Sequence, residues 1–94
     1  MHEFEQSFLA RATIHGGLTL FKPADALSFI AGARDHGVPV LGVETFLITD
    51  STAEPQMDHI LDLSGADKEC DTWSEAEHFI SERSTRGYLF EVAV

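Results

Sequence analysis

An α+β fold built on an antiparallel sheet is the class that this 94-residue sequence predicts. Three observations lead there. Two stretches have helical spacing of apolar residues, one from Pro23 to His36 and one opening at Thr72. Each is followed by a run rich in β-branched and aromatic residues. The last run, Tyr88, Phe90, Val92 and Val94, alternates with the period of two that a half-buried strand requires.

The elements follow in chain order. Residues 3–15 place Phe4, Phe8, Leu9 and Ala12 on one helical face and Glu3, Gln6, Ser7 and Arg11 away from it. Gly16-Gly17 stops the pattern, so an amphipathic helix with a glycine cap is expected there. Residues 18–21 form a short apolar run, expected as a strand. Pro23 suits a first helical position, and Asp25 complements the helix N-terminus. Ala26, Leu27, Ile30, Ala31 and Arg34 keep helical spacing as far as His36. Gly37 and Pro39 then end the helix. Residues 38–49 read as the longest strand, with Gly42 as a bulge signal.

The polar stretch 50–56, containing Pro55, is expected as a wide loop. Residues 57–63 alternate Met57, His59, Leu61 and Leu63 on one face of a strand. Residues 64–71 are a second polar loop. Thr72 and Glu75 have the spacing of a capping box, and Trp73, Ala76, Phe79 and Ile80 point inward along the helix that follows. Gly87 ends it. Without the first helix the order is β-α-β-β-α-β, the split-βαβ order of the ferredoxin-like fold, with two helices on one face of the sheet. The whole chain, 1–94, is expected as one domain.

Composition narrows the function. Sixteen acidic residues against six basic ones give a formal net charge of −10. That field repels nucleic-acid phosphates and anionic lipid, and favours basic partners: a cationic protein surface, a metal ion or a cationic small molecule. Cys70 is the single cysteine, so neither an intramolecular disulfide nor a CxxC site can form. The start, Met1-His2-Glu3-Phe4-Glu5, has the wrong sign for a signal peptide, and no apolar run approaches a membrane span of about 20 residues. A cytoplasmic protein is expected.

No motif supports catalysis. Ser64 precedes Gly65 without a G-x-S-x-G context. Gly16-Gly17 has neither P-loop nor dinucleotide spacing. Cys70 sits among Asp67, Lys68, Glu69 and Asp71, neighbours that disfavour a thiolate. His2, His15, His36, His59 and His78 contain no HxH or HxxxH pair. A non-enzymatic protein without a cofactor is therefore expected.

Two candidate binding regions remain. Trp73 lies among Asp67, Glu69, Asp71 and Glu75, an aromatic ring amid carboxylates that suits an Arg- or Lys-rich partner. On the sheet, a hairpin registered with Thr49 opposite Met57 sets Glu44 across from Asp62. Two adjacent carboxylates can hold a cation or a proton. His59 with Glu44 and Asp62 makes the alternative, a small-molecule or metal-binding regulatory domain. Phe46 and Ile48 on an uncovered sheet face would suit a homodimer.

Three segments, Pro23-Ala24-Asp25-Ala26-Leu27, Gly37-Val38-Pro39-Val40-Leu41-Gly42-Val43-Glu44-Thr45-Phe46 and Asp71-Thr72-Trp73-Ser74-Glu75-Ala76-Glu77, resemble small bacterial proteins assigned as immunity proteins of polymorphic toxin systems. The resemblance spans most of residues 23–90 and is carried by packing and capping positions. It implies a binding protein that neutralises a toxin, and such families have no catalytic residues to transfer.

Overall fold

The computed structural model describes residues 3–67 and 69–94; Met1, His2 and Lys68, named above, lie outside them. The elements are α1 (Glu3–Gln6), a 3-10 turn (Leu9–Arg11), β1 (Thr13–His15), β2 (Leu18–Leu20), α2 (Pro23–Asp35), β3 (Gly42–Thr49), β4 (Thr52–Asp62), α3 (Thr72–Ser81) and β5 (Leu89–Ala93). They form an α+β structure with two antiparallel sheets, one of two strands (β1-β2) and one of three (β4-β3-β5). Among the described residues no helix is long and apolar enough to cross a membrane.

The expected single ferredoxin-like sheet is not the arrangement found. Its first strand, β2, makes its strand pairing with β1, a strand inside the stretch expected to be helical. Gly16 and Gly17 explain the difference. Both have positive φ, +55° and +85°, and they form the two-residue turn of a hairpin rather than a helix cap. Only the first part of the expected helix forms, and its Phe4 and Phe8 still point inward, with ring centroids 5.3 and 5.5 Å from that of Phe29 on α2. An isolated bridge joins the end of the small sheet to the large one, where Phe21 and Phe90 exchange backbone hydrogen bonds of 2.8 Å in each direction.

α2 forms as the sequence predicts, from Pro23 to the cap residue His36, with Gly37 following. Its buried face, Ala26, Phe29, Ile30 and Ala33, packs with Ala76, Phe79 and Ile80 of α3 against Val43, Phe90 and Val92 of the sheet. One core therefore lies between the two helices and one face of the three-stranded sheet.

The β3–β4 hairpin is tighter than expected. Asp50 and Ser51, with φ of 45° and 69°, make a two-residue turn, so β4 begins at Thr52 and the expected loop is mostly strand. The bulge lies in β4 and not at Gly42. Glu44 pairs with Ile60 but Phe46 pairs with Pro55, which leaves residues 56–59 opposite the single residue Thr45. Pro55 has no N–H for the ladder and sits where the pairing resumes. Thr45 is buried, and its Oγ1 has no hydrogen-bond partner among the described residues. Gly42 answers a different constraint: a Cβ there would lie 2.8 Å from the Leu61 carbonyl oxygen.

Candidate functional site

The site is built by β3. Successive side chains alternate between the faces of a strand. Val43 and Thr45 are buried on the helix side, so Gly42, Glu44, Phe46 and Ile48 belong to the other face. Glu44 stands directly opposite Glu91 of β5 on one side and Ile60 of β4 on the other, while Gly42 stands opposite Asp62 and Ala93. Glu44, Glu91, Asp62 and Ile60 thus share the open face, where they line a cleft of about 350 Å³ that Leu41 and Ser64 help to close.

The sequence-derived register is corrected here. Thr49 pairs with Thr52, not Met57, and the β4 bulge makes up only part of the difference, so that Glu44 pairs with Ile60 and not with Asp62. Glu44 and Asp62 remain on one face, but diagonally, with Gly42 beside Asp62 and Ile60 beside Glu44. The carboxylate directly opposed to Glu44 is Glu91. Alternation within β5 already puts Glu91 on the face opposite Phe90 and Val92. Its partner, however, depends on which strands are neighbours.

The three carboxylates differ electrostatically. Glu91 is held above the usual glutamate range, first by burial and then by the charge of Glu44; a hydrogen bond from the Thr19 backbone N–H offsets part of this. Asp62 is held low because its Oδ1 accepts from the Ser64 hydroxyl at 2.6 Å and from the Ser64 N–H at 3.0 Å. None of the three forms an ion pair with Lys, Arg or His among the described residues.

A glutamate with a raised folded-state pKa binds a proton more readily in the folded chain than in the unfolded one. Stability therefore falls as pH rises through the interval between the unfolded value and the raised one. Glu91→Gln is expected to raise the thermal midpoint at pH 7 by a few degrees, since a like-charge pair directly across strands costs roughly 0.2–1 kcal/mol. The gain should shrink as the pH is lowered through that interval. Unfolding curves of both proteins between pH 4 and 7 check this, and a lower midpoint for the variant at pH 7 would refute it.

The Trp73 region is organised by Arg34 of α2. Asp71, not Thr72, is the N-cap of α3: its carboxylate accepts from the Ser74 N–H at 3.0 Å and from the Ser74 hydroxyl at 2.7 Å, and both bonds hold its pKa low. Thr72 is the first helical residue, buried, with its Oγ1 accepting from the Val40 N–H at 3.1 Å. The expected cap at Thr72 is thus displaced by one position to Asp71, and Glu75 is left exposed on the surface. Trp73 is half-buried and donates from Nε1 to the Val38 carbonyl at 2.8 Å. The Arg34 guanidinium lies 5.9 Å from the Trp73 ring centroid, donates to Glu77 at 2.6 Å and approaches Asp71 to 3.8 Å. The cation expected from a partner is thus partly supplied from within the chain. Asp67 and Glu69 are exposed, with the Asp67 carboxylate accepting from the Glu69 N–H at 2.8 Å.

His59 stands apart from Glu44 and Asp62. Its Nδ1 accepts from Arg83 Nε at 3.2 Å, and its ring centroid lies 5.5 Å from that of Tyr88, which packs against the helix-side core. Arg83 also stacks on Phe79, 3.7 Å from the ring centroid, and donates to the Phe79 carbonyl at 2.9 Å. The three residues of the alternative site therefore do not converge. Among the described residues no group of three or more His, Cys, Asp or Glu side chains is placed to hold a metal ion. Phe46, expected as an exposed dimer contact, is only 4% exposed, whereas Ile48 is 37% exposed.

No protein-family model matches the sequence, no curated protein is similar to it, and no solved structure matches its fold.

Proposed function

We propose that this is a binding protein whose open sheet face takes a cationic surface of another protein, as an immunity protein covers the basic surface of its toxin. The observation that supports this reading is the direct opposition of Glu44 and Glu91, neither of which forms an ion pair with a cation among the described residues. Like charges across a strand pair weaken the sheet. A partner's Arg or Lys seated between them offsets the repulsion and favours the charged form of Glu91. The formal charge of −10 steers such a partner from a distance.

The same geometry argues against self-association by this face. Two-fold symmetry would bring Glu44, Glu91 and Asp62 of one copy toward the same carboxylates of the other. The Trp73 region is the weaker candidate, since Arg34 already occupies its centre.

The test begins with capture of partners from lysate of the source organism at low and high salt. Association of a captured basic protein is then timed against ionic strength. The expected result is an on-rate that falls steeply with salt, as steered association does. The double variant Glu44→Gln/Glu91→Gln should associate about tenfold more slowly at low salt and show a shallower salt dependence. An on-rate indifferent to salt, or unchanged in the double variant, would count against this function.

A further inference from the structure

A second cleft, also of about 350 Å³, lies where the segment after α2, the loop after β4 and the start of α3 meet. Pro39, Val40, Leu63 and Trp73 supply its apolar walls, with Cys70 at its margin. Most of its polar groups are already engaged. Thr72 Oγ1 takes the Val40 N–H, the Trp73 N–H goes to the Val38 carbonyl, the Ser64 hydroxyl and N–H both go to Asp62, and Asp67 takes the Glu69 N–H. The cleft therefore offers a guest mainly dispersion and apolar burial, which selects an apolar group.

This cleft is joined to the acidic one. Leu41 and Ser64 line both, and Leu41 stands 44% exposed at the junction. A single surface thus runs from the carboxylates of Glu44 and Glu91, across Leu41, to the Trp73 wall. An exposed apolar side chain flanked by a charged recess and an apolar one is a poor surface for water, and a good one for a segment that presents both chemistries.

We infer that the two clefts form one docking groove for a protein segment carrying a bulky apolar side chain close to an Arg or Lys. The apolar group enters the cleft beside Trp73 and Leu63, and the cation reaches Glu44 and Glu91. The inference rests on the binding function proposed above and adds the anchor. Charge alone gives fast but weak association, whereas a buried apolar anchor lowers the off-rate. The charge of the groove and the engagement of its polar groups favour this occupant over a polar or anionic ligand.

The test is a selection from a displayed random-peptide library on the full-length protein, followed by synthesis of the enriched peptides. Cys70, the single thiol, reports on occupancy of the apolar cleft through its alkylation by iodoacetamide. The expected consensus places Phe, Leu, Met or Trp within a few positions of Arg or Lys. Bound peptide slows alkylation of Cys70, and replacing the apolar residue by Ser weakens binding roughly 30-fold, the range of an anchor side chain. Basic peptides without an apolar residue, leaving Cys70 alkylated at the free rate, would overturn the anchor and spare the electrostatic function. Apolar peptides without a basic residue would overturn both, as would a selection that enriches nothing.

Discussion

Phe90→Ala is expected to remove a large share of the stability of this chain. The residue is fully buried near the start of β5, opposite Thr45 of β3, and it belongs to the cluster that both long helices cover. Its backbone is also the junction between the sheets, giving and receiving the 2.8 Å hydrogen bonds with Phe21. Truncating a buried phenylalanine costs about 3–5 kcal/mol, a sum of lost transfer energy and the cavity left behind. A domain of this size holds roughly 5–15 kcal/mol in all. The variant should therefore unfold at far lower urea than the parent, and the β1–β2 hairpin should lose protection first. Urea titration followed by circular dichroism measures the first effect, and amide exchange at Phe21 measures the second. A loss of under about 1 kcal/mol would mean that the core does not centre on this strand.

Gly42→Ala is expected to damage both the fold and the groove. The new methyl would meet the Leu61 carbonyl oxygen at 2.8 Å, and that atom belongs to the β4 backbone, not to a flexible side-chain end. Either strand must move, at a cost of roughly 1–3 kcal/mol, as for other overpacked sites. The displaced segment carries Asp62, which pairs with Gly42, and Ile60, which pairs with Glu44. Affinity for a basic partner should fall with the melting temperature. Gly65→Ala is the matched control, because a Cβ at Gly65 meets nothing within 4 Å. Equal melting temperatures for the two variants would show that the approach at Gly42 carries no constraint.

Both effects depend on features that differ in how far they can be seen in the sequence. The wall of the apolar cleft was visible as Trp73 at the start of a helix. What it faces was not visible, because Val38 and Arg34 come from a distant part of the chain. Alternation places Glu44 and Asp62 on one sheet face, but neither their diagonal relation nor the opposition of Glu44 and Glu91 is legible in the sequence. The position of Glu91 on the outward face of β5 follows from alternation with Phe90 and Val92, whereas its partner follows only from strand order. The role of Arg83 is hidden for the same reason: its contact with His59 joins the bulge of β4 to the segment after α3.

Local chemistry determined what the sequence could determine. Proline at a first helical turn, glycine after His36 and the apolar spacing between them fix α2, because each acts within a few residues of itself. Alternation fixes β5 by the same local logic. The acidic balance sets the sign of the field whatever the fold. Tertiary structure decided the rest. Gly16-Gly17 is compatible with a helix cap or a hairpin turn, and only the pairing of Thr13–His15 with Leu18–Leu20 selects the turn. The register of β3 and β4 could not be read because a four-residue bulge opposite Thr45 has no signature in spacing, and one slipped residue sends every side chain to the other face. Which carboxylates share a face, and which cleft adjoins them, is therefore a property of strand neighbours distant in sequence, set by how the sheet packs against α2 and α3.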